Sequence, residues 1–194
     1  MLTHRTQNKY PVCRMNCAAS GKICAVTDCD VGVAERVELA EKIASLLDSA
    51  GLDVAVAESL TGGMVASALA EAPGSSNWFR GAVVAYASDV KHELLTVPPG
   101  PVVSAPAAAA MADGVRRLLR ADLAVALTGA GGPDGQDGQP PGTVFLALSD
   151  GMETHVEHRY IDCDDPAEVC AEAVAEALQL LHRHLCAGAA ARRG

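Results

Sequence analysis

Residues 54–72 read VAVAESLTGGMVASALAEA. Small apolar residues run from Val54 to Ala57, stop at Glu58-Ser59, turn through Thr61-Gly62-Gly63 and resume with helical spacing. A short apolar run closed by a glycine turn and followed by a 3.6-residue period predicts a buried strand leading into a helix. Outward from this unit the alternation continues in both directions. Upstream, apolar residues at 33, 37, 40, 43, 44, 46 and 47 form a helical stripe, and Gly51 stands where a C-terminal cap belongs. LDVAVAES (52–59) is the first strand and TGGMVASALAEA (61–72) the helix after it. GAVVAYAS (81–88) predicts a second strand, DVKHELL (89–95) a short helix, and APAAAAMADGVRRLLRA (105–121) a longer one with Pro106 in its first turn. DLAVALTG (122–129) and GTVFLALSDG (142–151) are strands around a glycine-rich loop. THVEHRYI (154–161) alternates like an edge strand, and residues 165–185 form a closing helix. The alternation predicts an α/β fold, a three-layer α/β/α sandwich with a mixed sheet.

At 194 residues, 49% apolar and 20% charged, the chain suits one globular domain. Its net charge of -9 argues against duplex nucleic acid or an anionic membrane as the main partner, because both reward a basic face. A local basic pocket stays open. Seven cysteines, at 13, 17, 24, 29, 163, 170 and 186, do not read as a disulfide framework and point to a reducing cytoplasm. The amino terminus lacks the apolar core of a signal peptide, and no run approaches the ~20 apolar residues of a membrane span. Residues 1–32 carry no sustained period and read as a mobile extension to a domain over 33–187, with a frayed tail at 188–194. The first four cysteines lack paired C-x2-C knuckles, so no metal is expected.

Ser59 is expected at a strand end with Thr61-Gly62-Gly63 opening the next helix. Free backbone N–H groups there suit an oxyanion or a phosphate, and plain helix capping by the two hydroxyls stays open beside that reading. A nucleophilic serine needs a base. Lys91 lies one turn into the helix after the strand that carries Tyr86, where a buried lysine serves as base and an exposed one is only surface charge. The loop TGAGGPDGQDGQPPG (128–142) holds more glycine than one turn requires, which favours a ligand loop over a bare hairpin. It is neither a dinucleotide fingerprint nor a P-loop.

The stretches AESLTGG, APGSSNWFRGAVVAYASDVKHELL, GPVVSAPAAAAMADGVRRLLRADLAVALTGAGGPDG and PPGTVFLAL resemble, in order and spacing, the CinA carboxy-terminal domain, the nicotinamide-nucleotide amidohydrolase family. The resemblance runs from about Val33 to Leu185 and looks like the stand-alone form of the domain. It implies hydrolysis of the carboxamide of nicotinamide mononucleotide to nicotinic acid mononucleotide and ammonia, without a cofactor, by a cytoplasmic homo-oligomer. By position it implies Ser59 as nucleophile, Lys91 as its base and Tyr86 as a supporting hydroxyl. Ser76 and Thr128 match polar positions lining the family's pocket, and Thr61, Gly62, Gly63, Gly129 and Gly131 join them as substrate-binding candidates from the helix start and the glycine-rich loop. Two departures stand out: Asp162, Asp164 and Asp165 occupy the segment where the family usually offers an arginine, and the connection LLTVPPGPVVS is shorter than usual. Alternatives are a member that binds a nucleotide or partner without turnover, and an amidase acting on a related non-phosphorylated substrate.

Overall fold

The computed structural model describes residues 28–191. Five strands form one sheet in the order β2-β1-β3-β4-β5. They are β1 (Val54–Glu58), β2 (Phe79–Val84), β3 (Leu123–Gly129), β4 (Thr143–Ser149) and β5 (Thr154–Tyr160). β2, β1 and β3 run parallel, while β4 and β5 are antiparallel additions. The helices are α1 (Asp28–Ala50), α2 (Met64–Glu71), α3 (Ser75–Trp78), α4 (Ser88–Leu95), α5 (Ala105–Leu119) and α6 (Pro166–Ala191). With α1, α2 and α6 on one face of the sheet and α4 and α5 on the other, the molecule is the expected three-layer sandwich with a mixed sheet.

The strand sequences explain why the two faces differ. Successive strand residues point to opposite sides, and in VAVAE and LAVALTG large residues alternate with alanine. Val54, Val56, Val125, Leu127, Leu146 and Leu148 face α1, α2 and α6. Ala55, Ala57, Ala124, Ala126 and Ala147 face α4 and α5. An alanine-lined sheet lets a helix approach closely, and α5 answers with Ala107, Ala108 and Ala112. Gly114 continues this close packing, because a Cβ there would stand 2.2 Å from the Leu95 carbonyl oxygen of α4. Gly114→Ala is therefore expected to destabilise by about 2–3 kcal/mol, the range for overpacking against a neighbour that cannot yield. Urea unfolding checks this, and a loss below about 0.5 kcal/mol would mean that α4 shifts freely.

Several boundaries differ from the sequence expectation. Helix α1 begins at Asp28, five residues before Val33, so part of the expected extension belongs to the domain. Residues 1–27, with Cys13, Cys17 and Cys24 and the mobile stretch expected there, lie outside the described residues. Helix α6 runs to Ala191, through the expected fray at 188, since the alanine-rich segment propagates a helix well. Helix α3 was not foreseen, and β2 starts at Phe79 and ends at Val84 rather than spanning 81–88. Among the described residues, no helix is long and apolar enough to cross a membrane.

Candidate active site

Strand order creates the crevice. From β1 the chain crosses one face through α2 and α3 to β2. It then returns across the other face through α4 and α5 to β3, on the far side of β1. The connections leaving β1 and β3 therefore diverge, which opens a cleft at the carboxyl end of β1, the usual ligand position in such sheets. Ser59 is the first residue beyond that end, 8% exposed. Its backbone is fixed on both sides: Ser59 N–H donates to the Leu127 carbonyl at 3.2 Å, and Ala85 N–H donates to the Glu58 carbonyl at 2.8 Å.

Glu58, immediately before it, is fully buried. Its carboxylate accepts from Thr61 Oγ1 at 2.7 Å and from the amides of Gly63, Val65 and Ala66 at 3.0, 3.1 and 2.8 Å. A carboxylate thus satisfies and neutralises the start of α2. Left-handed φ values of 59° at Gly62 and 107° at Gly63 curl the chain around it, a path that side chains resist. This narrows the sequence reading of Thr61-Gly62-Gly63 as ligand donors to the Thr61 amide. The Thr61 hydroxyl and Gly63 amide belong to Glu58, and the Gly62 amide donates to the Ser59 carbonyl at 3.1 Å. Among the described residues the amides of Leu60 and Thr61 have no partner.

Ser59 opens into a cavity of about 370 Å³, walled by Leu60, Tyr86, the glycine-rich loop from Gly129 to Gln136, Pro166 and Cys170. Gly129 and Gly131 thus line the cavity as expected. At Gly129 a Cβ would meet the Thr143 carbonyl oxygen at 2.5 Å, so only glycine lets β3 leave the sheet beside β4. Thr128 is buried and is not part of the lining, since its hydroxyl donates to the Val102 carbonyl at 2.8 Å. Ser76 is exposed in α3, next to Phe79, which pairs with the beginning of β1. Within one chain it therefore sits at the opposite end of the sheet from Ser59.

Lys91 is 1% exposed, and its Nζ donates to the backbone carbonyl of Tyr86 at 3.0 Å. Burial holds its pKa below the ordinary lysine value, while the Asp137 carboxylate pulls the other way. The surface-charge reading of Lys91 does not hold. Tyr86 contributes that carbonyl. Its side chain is 72% exposed at the cavity wall, and its hydroxyl has no hydrogen bond among the described residues.

Asp137, which sequence reasoning passed over, accepts from the amides of Val102 and Val103 at 2.7 and 2.9 Å and so ties the glycine-rich loop to the segment before α5. Cys170 was passed over too, and its thiol donates to the Leu60 carbonyl at 3.3 Å, joining α6 to the residue after Ser59. Burial pushes its pKa up, which makes it a neutral thiol.

The CinA C-terminal domain family matches residues 36–185 of this sequence. The chain belongs to that family. A CinA-like protein of Syntrophus aciditrophicus is 42% identical over 157 residues, covering 78% of this chain and 37% of the relative. A putative competence-damage inducible protein of Desulforudis audaxviator is 48% identical over 124 residues, covering 60% of this chain and 30% of the relative. The chain thus spans about a third of the length of these relatives. Solved structures of similar size also match. A CinA superfamily protein from Enterobacter cloacae superposes with a TM-score of 0.75 at 31% identity, covering 77% of this chain and 92% of that one. The protein CihA from Agrobacterium tumefaciens does so with a TM-score of 0.71 at 35% identity, covering 76% and 93%. In this CinA domain the Asp-rich departure lies at the start of α6. The Asp165 carboxylate accepts from the Ala167 amide at 2.8 Å as a helix cap, beside the cavity-lining Pro166.

Proposed function

We propose that this CinA domain hydrolyses the carboxamide of a nicotinamide nucleotide, the mononucleotide or its dephosphorylated form, to the carboxylate and ammonia. The observation that carries this reading is a cavity-facing serine at the carboxyl end of β1, with the buried lysine of α4 bonded to the backbone carbonyl of Tyr86, which lines the same cavity. Lys91, in its unprotonated form, takes the proton of the Ser59 hydroxyl as Oγ attacks the carboxamide carbon. The Leu60 and Thr61 amides, which have no other partner among the described residues, serve as donors to the developing oxyanion. The C–N bond breaks as Lys91 returns its proton to the departing nitrogen, leaving an ester on Ser59. Water then cleaves the ester with Lys91 again as base, so one water is consumed and one ammonia released.

One observation favours a binding role without turnover. Among the described residues, Ser59 Oγ makes no hydrogen bond to Lys91, which faces the Tyr86 carbonyl instead. Catalytic hydrogen bonds commonly tighten only with substrate bound, so the amidase reading stands. Ammonia release from the mononucleotide and from the riboside, measured with and without enzyme, tests it; no release from either rejects it in favour of the binding role.

The pH profile follows from Lys91. Only the unprotonated amine is a base, so kcat/KM is expected to rise with pH through a single step below the ordinary lysine value. Stability moves in the same direction. The unfolded chain holds that proton to higher pH, so stability rises with pH between the lowered folded value and the ordinary one. A flat rate profile up to the lysine range would remove Lys91 as base.

A further inference from the structure

Three positive features adjoin residues that line the cavity, Leu60, Pro166 and Tyr86, and each is already engaged within the chain. The start of α2 is neutralised by the buried Glu58 carboxylate. The start of α6, at the lining residue Pro166, is capped by the Asp165 carboxylate, with Glu168 also in its first turn. The Lys91 ammonium is buried against the Tyr86 carbonyl. Among the described residues that line the cavity there is no lysine or arginine, and the one charged side chain is that of Asp134. The donors left for an anion are neutral, the amides of Leu60, Thr61 and the glycine-rich loop and the side chains of Tyr86 and Gln136, and Asp134 stands among them. A phosphate dianion entering here meets carboxylates without a compensating cation, which is repulsive. A pyridinium cation meets the opposite conditions, the Asp134 carboxylate at the wall, that of Asp165 next to the lining residue Pro166, and the exposed ring of Tyr86.

We infer that this site selects the dephosphorylated, cationic pyridinium nucleoside over the phosphorylated mononucleotide. The inference rests on the amidase reading above and deepens it by naming the substrate class. The loop amides hold the neutral ribose hydroxyls, and the negative wall raises the local concentration of the cation.

Initial rates of ammonia release by the full chain are compared for nicotinamide riboside, nicotinamide mononucleotide and free nicotinamide at low and high salt. The expected kcat/KM for the riboside exceeds that for the mononucleotide by at least about tenfold, and that for uncharged nicotinamide as well. The gap to the mononucleotide narrows as salt screens the repulsion. Asp134→Asn and Asp165→Asn remove charge, and asparagine still caps α6. Each is expected to shift the riboside-to-mononucleotide ratio several-fold toward the mononucleotide. A ratio at or below one, or a ratio unmoved by salt and by both variants, overturns the inference. Ammonia from none of the three strikes the amidase reading instead. Selectivity is then read by equilibrium dialysis of the same ligands: tighter riboside binding supports it, and tighter mononucleotide binding, or no binding of either, overturns it.

Discussion

If the proposed reading holds, Ser59→Ala and Lys91→Met are each expected to lower kcat/KM for amide hydrolysis by about 10³-fold or more, equivalent to about 4 kcal/mol of transition-state stabilisation. The double variant is little worse than either single one, because nucleophile and base act as one unit. The two variants differ in stability. Ser59→Ala removes a small side chain already facing the cavity and leaves the fold intact. Lys91→Met replaces a buried ammonium, with a single backbone acceptor, by an apolar side chain of similar length. Desolvating that ammonium is costly, so Lys91→Met is expected to match or exceed the parent's Tm while losing activity. A Lys91→Met protein that keeps activity, or additive losses in the double variant, would dissolve the pair. Thermal melts and ammonia assays on the same preparations separate these outcomes.

Glu58→Ala is the second large effect, and it falls on the fold. The carboxylate receives four hydrogen bonds from Thr61, Gly63, Val65 and Ala66 with no access to water. Its removal leaves three backbone amides and a hydroxyl buried without their acceptor and exposes the positive end of α2. Breaking a buried charged network of this kind costs about 3–5 kcal/mol, a large share of the ~5–15 kcal/mol that holds a domain together. Glu58→Gln keeps one carbonyl oxygen but turns an NH2 toward groups that are themselves donors, so it is expected to recover only part of the loss. Urea unfolding measures both. A loss under about 1 kcal/mol for Glu58→Ala would mean that water replaces the carboxylate readily.

Glu58 also shows how far the sequence could be read. The alternation of valine or leucine with alanine in VAVAE and LAVALTG announces strands with one large-residue face and one small-residue face, and the layers follow from it. Ser59, Tyr86, Gly129 and Gly131 are legible as site residues because each stands where a strand ends, and the sheet brings those ends together. The carboxylate at the tip of β1 was visible too, but its use was not. Capping of α2 by a residue from the preceding strand depends on how the two glycines curl the backbone, which spacing does not encode. The same limit hid Asp137 and Cys170, whose partners lie 34 and 110 residues away. Ser76 misled for the converse reason. It precedes β2, and a residue before a parallel strand emerges at the end opposite the crevice.

In the proposed reaction Ser59 carries the acyl group. Enzyme mixed with excess nicotinamide riboside or mononucleotide, quenched in acid within the first turnover and digested, is measured by mass spectrometry. The expected result is an adduct of the N-ribosylated nicotinoyl group, with its phosphate when the mononucleotide is used, on the peptide containing Ser59, absent from Ser59→Ala and accumulating in Lys91→Met only at a greatly reduced rate. Ammonia release with no adduct on Ser59, or with the adduct on Cys170, would contradict the account.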